Sequence, residues 1–321
     1  MDILIVGAGA LGQVYGAELA RGAATISYLV KPRQFEEIRG GVTVTRLRRS
    51  RGPATTSLAP TRVYTDPTAV AGTEWHSVWL MVDSTALHGA WLQSLREAVG
   101  ESTIVALDQS LGDRPVLAAV WPEDQLVALT VADLAWAAPL GTEHTDHTAY
   151  YRPPTGAAML AGTPERVAPL RAVLRGAGSR VRTGRVGNGV AYAAQTVPYV
   201  ALLEIAGWSF RALRTDTSLA AHAAFEAATI VAAERGLAAP PHPRVLDLRM
   251  RAMMRLLPVL APFDVEHFWR VHCTKIGPQT RAMLRGWADL GEQRGLPVAH
   301  LRNLDAAMPP RATPRARPET I

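Results

Sequence analysis

Gly7, Gly9 and Gly12 stand in G-x-G-x-x-G spacing, directly after the apolar run Ile3–Val6 and before Val14–Arg21, which reads as a helix. Strand, glycine turn and helix in that order suit a dinucleotide. Gly7 permits the tight turn, Gly9 lets the backbone approach a pyrophosphate, and Gly12 lets the helix pack on the strand. The N–H groups at the start of that helix, around Ala10 and Leu11, then meet the phosphates with the positive end of the helix dipole. The competing reading is a glycine-rich turn that binds nothing.

The second strand, Ala24–Val30, ends in Lys31-Pro32-Arg33. An NAD site usually carries Asp or Glu there, to accept from the ribose 2′-hydroxyl. Two cations match a 2′-phosphate instead, so the expected cofactor is NADP, unless both are ordinary surface charges.

The elements that hold these residues follow from periodicity. Strands are expected at Val42–Leu47, Ser77–Val82, Thr103–Leu107 and Leu126–Ala132, with helices at Gln34–Arg39 and Leu87–Val99. The loop Asp108–Gly112 closes the third of these strands, at the sheet edge where ligands bind in such folds. Residues 136–162 read as antiparallel strands completing the sheet, Pro164–Ala177 as a helix and Ser179–Thr183 as an edge strand. From Asn188 helical periodicity takes over. Val190–Leu213 reads as one helix kinked at Pro198, Leu219–Arg235 as a helix capped by Gly236, Val245–Leu257 as another, and Val265–Arg294 as helix broken at Gly277-Pro278. The fold class is therefore α/β: a doubly wound, Rossmann-type sheet over residues 1–185 and an all-helical domain over 186–308, with a cleft between them. Residues 309–321, rich in proline, are expected to be disordered.

Composition narrows the classes. Apolar residues make up 48% of 321, enough for a sizeable core, and the single cysteine, Cys273, excludes an internal disulfide. No signal-peptide pattern and no membrane-length apolar run is seen, so a cytoplasmic protein without a membrane partner is expected. The charge of +6 gathers partly in Arg46, Arg48, Arg49 and Arg51 and in Arg311, Arg315 and Arg317. These lack interleaved aromatics, so a solvated hairpin and tail are favoured over nucleic-acid binding. His144 and His147 beside Asp146 do not form a convincing metal set, and no metal is expected.

The sequence resembles the ketopantoate reductase (2-dehydropantoate 2-reductase) family over nearly its whole length. The opening Gly-Ala-Gly-Ala-Leu-Gly with Tyr15-Gly16, the turn Lys31 to Arg39, the segment Leu107–Gly112, the helix around Pro198 and Arg294-Gly295-Leu296-Pro297-Val298 carry the likeness. The resemblance implies NADPH-dependent reduction of a 2-keto acid, and it places the asparagine of the family's glycine-rich loop at Gln109. It also exposes departures. The Lys-x-x-x-Asn-x-x-x-Asn-Pro pattern falls on Gly189, Ala193, Val197 and Pro198, so three polar groups are gone. A lysine that follows the third strand falls on Asp83. Where the family's Thr-Glu-Ile-Asp supplies a glutamate, this chain reads Thr274-Lys275-Ile276-Gly277.

Ketone reduction needs a donor to the developing alkoxide. Lys275 is the candidate, from the opposite wall of the cleft. His272 and Gln279 share its helical face if the helix continues through Pro278. His272 titrates in a useful range but is as readily a packed residue. Gln195 is among the nearest polar residues on the helix that lost its lysine. Trp208 and Trp269 would enlarge and dry the substrate pocket. Three readings follow: an NADPH-dependent reductase of a small-molecule carbonyl or imine; a true ketopantoate reductase; or an NADP-binding protein with a non-redox, sensor or scaffold role. A homodimer through the helical domain is compatible with each.

Overall fold

The structure is a computed structural model that describes residues 1–49, 52–137, 147–214 and 216–310, with residues 214, 275 and 276 described by their backbone alone. The chain begins β1 (Asp2–Val6), α1 (Ala10–Arg21), β2 (Thr25–Leu29), α2 (Phe35–Arg39), β3 (Val42–Leu47), β4 (Ala54–Leu58), β5 (Val63–Tyr64), β6 (Ser77–Leu80), α3 (Trp91–Val99), β7 (Thr103–Leu107) and α4 (Asp113–Ala118). It continues with β8 (Leu126–Thr130), β9 (Leu134–Trp136), β10 (Thr148–Tyr151), β11 (Ala158–Ala161), α5 (Pro164–Gly176) and β12 (Val181–Thr183).

An eight-stranded sheet in the order β12-β11-β8-β7-β6-β1-β2-β5 forms the first half, and β1, β2, β5, β6, β7 and β8 all run parallel. Ile3 and Ile5 of β1 face a core shared with α1 and α5, while Leu4 and Val6 face the other core, with α3 and α4. Both faces are covered, which is why its central strands read as unbroken apolar runs rather than alternating ones.

The expectation that residues 136–162 complete this sheet holds only for β11, which joins antiparallel to β8. β9 and β10 instead build a second sheet, β4-β3-β10-β9, in which β10 lies parallel to β3. One side of that sheet packs against α1. The other presents Trp136 and Tyr151 to the helical half.

Beneath α1 lies a buried ionic network. Arg152 donates to both Asp133 oxygens at 2.7 and 2.8 Å and to both Glu18 oxygens at 2.9 Å. Ser179 Oγ donates to Glu18 at 2.6 Å and Tyr150 Oη to the same carboxylate at 3.2 Å. Burial pushes the Asp133 carboxyl up, against the pull of Arg152.

From Asn188 every regular element is helical: α6 (Asn188–Ile205), α7 (Ser218–Arg235), α8 (Pro243–Leu260), α9 (Val265–Gln293) and α10 (Ala299–Ala307). Alanines 223, 227 and 228 of α7 let α6 approach closely, and Leu284, Trp287, Leu301 and Leu304 close that core. Gly236 takes φ +59° at the end of α7, the expected left-handed cap.

α1 starts at Ala10 rather than Val14, α3 at Trp91 rather than Leu87, and α8 runs to Leu260, while α6 and α9 depart more. α6 stops at Ile205 rather than 213, because Gly207 and Trp208 both take the left-handed conformation (φ +65° and +68°) and turn the chain. α9 runs unbroken through Gly277-Pro278, since its inner face is held by α6 and α7 packing. Residues 311–321, expected to be disordered, lie outside the described residues. So do His144, Asp146 and Arg51.

Truncating Arg152 to Ala leaves two buried carboxylates without their cation. This variant is expected to lose about 3–5 kcal/mol of stability in urea unfolding, while Glu18→Gln, Asp133→Asn and Arg152→Met together lose far less.

Candidate functional site

The three glycines of the first turn have distinct surroundings. Gly7 takes φ +92°, and a Cβ there would lie 2.8 Å from Val82 and 3.0 Å from the Met81 carbonyl oxygen. A Cβ on Gly12 would lie 2.1 Å from the Gly7 carbonyl oxygen, so strand and helix touch backbone to backbone. A Cβ on Gly9 would meet nothing within 4 Å. Gly9 is the N-cap of α1, with no side-chain cap and no acidic residue in the first turn. The first N–H groups of α1 therefore have no side-chain cap beside an open Gly9, and such a helix start fits a pyrophosphate.

β2 lies beside β1, and Lys31 and Arg33 follow its C-terminal end, both exposed around a short 3-10 turn at Pro32–Gln34. Arg39 of α2 is taken up by an ion pair with Glu36 at 2.6 Å. Asp83, where the family carries lysine, accepts from the Thr85 and Ala86 N–H groups and so stabilises the turn after β6.

The loop after β7 joins the two halves of the chain. Asp108 Oδ2 accepts from Gly187 N at 3.1 Å and Gly189 N at 2.9 Å, capping α6 from another element. Burial pushes the Asp108 carboxyl above the usual carboxylate range, although both N–H groups and the nearby Arg235 pull it down. Arg235 of α7 donates to the Leu111 carbonyl at 2.9 Å. A Cβ on Gly189 would lie 2.1 Å from the Asp108 carbonyl oxygen and 2.8 Å from Thr130 Oγ1. The position that aligns with the family's lysine therefore has no room for a side chain. Ala193 and Val197, one and two turns on, continue that face of α6 without a polar group.

α9 reaches the same region. Gln279 Nε2 donates to Ser84 Oγ at 3.4 Å and Gln109 Oε1 at 3.5 Å. Ser84 Oγ in turn donates to Asp113 Oδ2 at 3.0 Å, and Ser110 N donates to the same oxygen at 3.0 Å. Burial raises the Asp113 carboxyl as well. The ends of β6 and β7, the Asp108–Gly112 loop and α9 thus form one polar seam, with Gln109 held within it.

The other sequence candidates sort as follows. Lys275 is in α9, one turn before Gln279, so its backbone position falls on the helix side that meets Ser84 and Gln109; its side chain is outside the described residues. The ring of His272 stacks on Phe268 (centroids 5.2 Å apart, planes at 15°), within the aromatic cluster that joins α9 to the second sheet. Gln195 lies about 200° around α6 from Ala193, away from that face. Trp208 is buried with Leu203, Phe210 and Cys273 in a helical core rather than lining open space, and Trp269 flanks the same core. Burial raises the Cys273 thiol, which suits an inert packed side chain. Asp108, Ser84 and Asp113 were not singled out by sequence; the clue for Asp108 was an acid ending an apolar strand. Among the described residues, no group of His, Cys, Asp or Glu has metal-binding geometry, and no helix is long and apolar enough to cross a membrane.

Residues 3–154 match the family model described as ketopantoate reductase PanE/ApbA. The resemblance read from the motifs holds for this segment. No curated protein matches the chain. Solved ketopantoate reductases share the fold along its full length. A 2-dehydropantoate 2-reductase from Geobacter metallireducens GS-15 superposes with a TM-score of 0.72 at 20% identity, covering 96% of this chain and 98% of that one. A PanE/ApbA family ketopantoate reductase from Ralstonia eutropha JMP134 gives 0.70 at 20%, covering 95% and 96%. A D-mandelate dehydrogenase solved with NADH and anilino(oxo)acetate gives 0.71 at 12% identity, covering 96% of each chain.

Two outcomes test this geometry. Gly9→Val should fold with stability within about 0.5 kcal/mol of wild type yet lose dinucleotide binding about tenfold or more, whereas Gly12→Val should unfold the turn. Paired calorimetry and titration would separate them. At Asp108 the folded carboxyl pKa is raised, so its contribution favours the fold at low pH and is lost as pH rises through the folded value. Asp108→Asn, which keeps an acceptor for both N–H groups, should therefore be at least as stable as wild type at pH 7. That advantage should disappear in acid, while Asp108→Ala should lose about 1–2 kcal/mol in urea unfolding.

Proposed function

We propose that this protein is a nicotinamide-dependent oxidoreductase that uses NADPH to reduce a carbonyl or imine in a small molecule. The observation that carries the reading is the open cradle at Gly9, between a left-handed Gly7 and the uncapped start of α1. The match of residues 3–154 to ketopantoate reductases and the fold shared with a dehydrogenase solved with NADH support it. Lys31 and Arg33 favour NADPH over NADH, because both are free to meet a 2′-phosphate and no carboxylate stands between them.

When bound, the dihydronicotinamide supplies a hydride. The chain's own residues do the rest. The first-turn N–H groups of α1 hold the pyrophosphate. Gln109, fixed by Gln279, orients groups at the C-terminal edge of β7. Lys275 carries the proton that the reduced oxygen or nitrogen takes up. It and Lys31 are the only lysines in the sequence, in a chain with 34 basic residues, and an ammonium tunes its pKa on burial where an arginine does not. Gly189 of α6 admits no side chain, which favours a donor from the α9 wall. Ketopantoate itself is one candidate substrate, and the aryl-substituted oxo acid class of the mandelate dehydrogenase complex is another.

One observation favours a second reading, in which the chain binds NADP without hydride transfer: the closed contact at Gly189 removes the family's lysine and its space together.

Titration and a substrate panel decide between them. Lys31→Ala and Arg33→Ala should each weaken NADPH about tenfold or more and leave NADH unchanged. With an active carbonyl or imine, Lys275→Ala should lower kcat about 10²–10⁴-fold with little change in NADPH affinity. Tight NADPH binding with no turnover across 2-oxo acids, ketones and imines would leave the second reading, and failure to rescue a pantothenate auxotroph would remove ketopantoate.

A further inference from the structure

Five of the six large apolar side chains exposed on the described surface belong to one helix. On α8, Val245, Leu248, Leu256, Val259 and Leu260 are 40, 70, 55, 59 and 41% exposed. With Ala252 they recur three or four residues apart, forming an outward stripe about 22 Å long. The opposite face, with Leu246, Met250, Met254 and Leu257, packs into the molecule.

The charge that α8 itself carries beside the stripe is mostly positive. Arg244, Arg249 and Arg255 of α8 are exposed and have no carboxylate partner among the described residues. The one acid of the helix, Asp247, is taken by Arg251 at 2.7 Å and by Thr217. At the C-terminal end, Arg49 from the β3–β4 hairpin donates to the Val259 carbonyl, with Arg48 beside it in sequence. Arg49 therefore adjoins the C-terminal end of the apolar stripe of α8.

We propose that this surface seats on an anionic lipid bilayer, with α8 lying in the headgroup plane. A second copy of the chain across a twofold axis would set Arg244, Arg249 and Arg255 against their own copies, with Asp247 already held by Arg251. Residues 311–321 bring three arginines and one glutamate, and do not complement it either. An acidic helix would meet one flank only, whereas cations lie on both sides of the stripe and at its end. A planar negative surface meets all of them, and protruding aliphatic side chains on a convex face enter a headgroup layer. Such seating needs no spanning helix.

The test is flotation of the full chain with vesicles of phosphatidylcholine alone or with about 30% phosphatidylglycerol. Bound protein should be about tenfold greater on the anionic vesicles and should fall steeply in high salt. Leu248→Ser, Leu256→Ser and Val259→Ser together should lower binding about tenfold, and Arg249→Glu with Arg255→Glu should abolish the preference for anionic vesicles. These positions are exposed, so unchanged circular dichroism and NADPH binding are expected. Equal flotation with both vesicle types would overturn the proposal. So would a dimer in sedimentation equilibrium that the three serines convert to monomer, or capture by an acidic amphipathic peptide without vesicle binding.

Discussion

The junction between Asp108 and the start of α6 sets the relation of the two halves. Its carboxylate takes the N–H groups of Gly187 and Gly189 at the start of α6, 79 and 81 residues later, and its carbonyl oxygen lies where a side chain at 189 would begin. Both contacts depend on Gly189. A Cβ there would lift α6 away from the ends of β7 and β8, and α7 would follow, because Arg235 holds the Leu111 carbonyl and packs over Gly187. The glycine at 189 is thus tied to a backbone approach. Burial raises the Asp108 carboxyl, so the interaction directs α6 more than it adds net stability.

The cofactor half is positioned by a different means. α1 has to stand close over β1 at Gly12 and remain open at Gly9, so its tilt is constrained at the N-terminus by contact and farther along by Glu18. Arg152 ties Glu18 to Asp133, at the edge of the second sheet, and Ser179 brings in the segment before β12. A buried set of two carboxylates and one guanidinium is a costly way to stabilise a fold, but it accepts only one arrangement of four segments. The second sheet then carries that position to the helical half through Trp136, Phe263 and Phe268, whose rings lie 4.7–5.6 Å apart.

What the sequence revealed follows the range of the interactions involved. The glycine turn was legible because strand, tight turn and helix of this kind are built from consecutive residues with fixed demands. The two-part fold was legible because periodicity changes at Asn188. The second sheet was not, since pairing β10 with β3 joins residues about a hundred positions apart and both strands read as ordinary alternation. The end of α6 was missed because Trp208 adopts a left-handed conformation that its residue type disfavours, held by packing with Leu203 and Phe210. On the site itself, the resemblance set Gly189, Ala193 and Val197 against three polar residues of the family pattern. It did not show that the Asp108 carbonyl occupies the space beside Gly189, because that contact is between backbones.

The unbroken course of α9 bears most directly on chemistry. A proline inside a helix costs about 3 kcal/mol and removes one backbone hydrogen bond. Pro278 has no N–H for the Thr274 carbonyl, the residue just before Lys275. The helix continues nevertheless, with Gly277 set against α6, where Glu204 pairs with Arg281 at 3.1 Å. Had the chain broken there, Gln279 and Lys275 would belong to separate elements. Continuity places them one turn apart on a single axis whose orientation is already fixed by the Gln279 contacts to Ser84 and Gln109. The packing that overrides the proline is therefore also what aligns the backbone at position 275 with the end of β7.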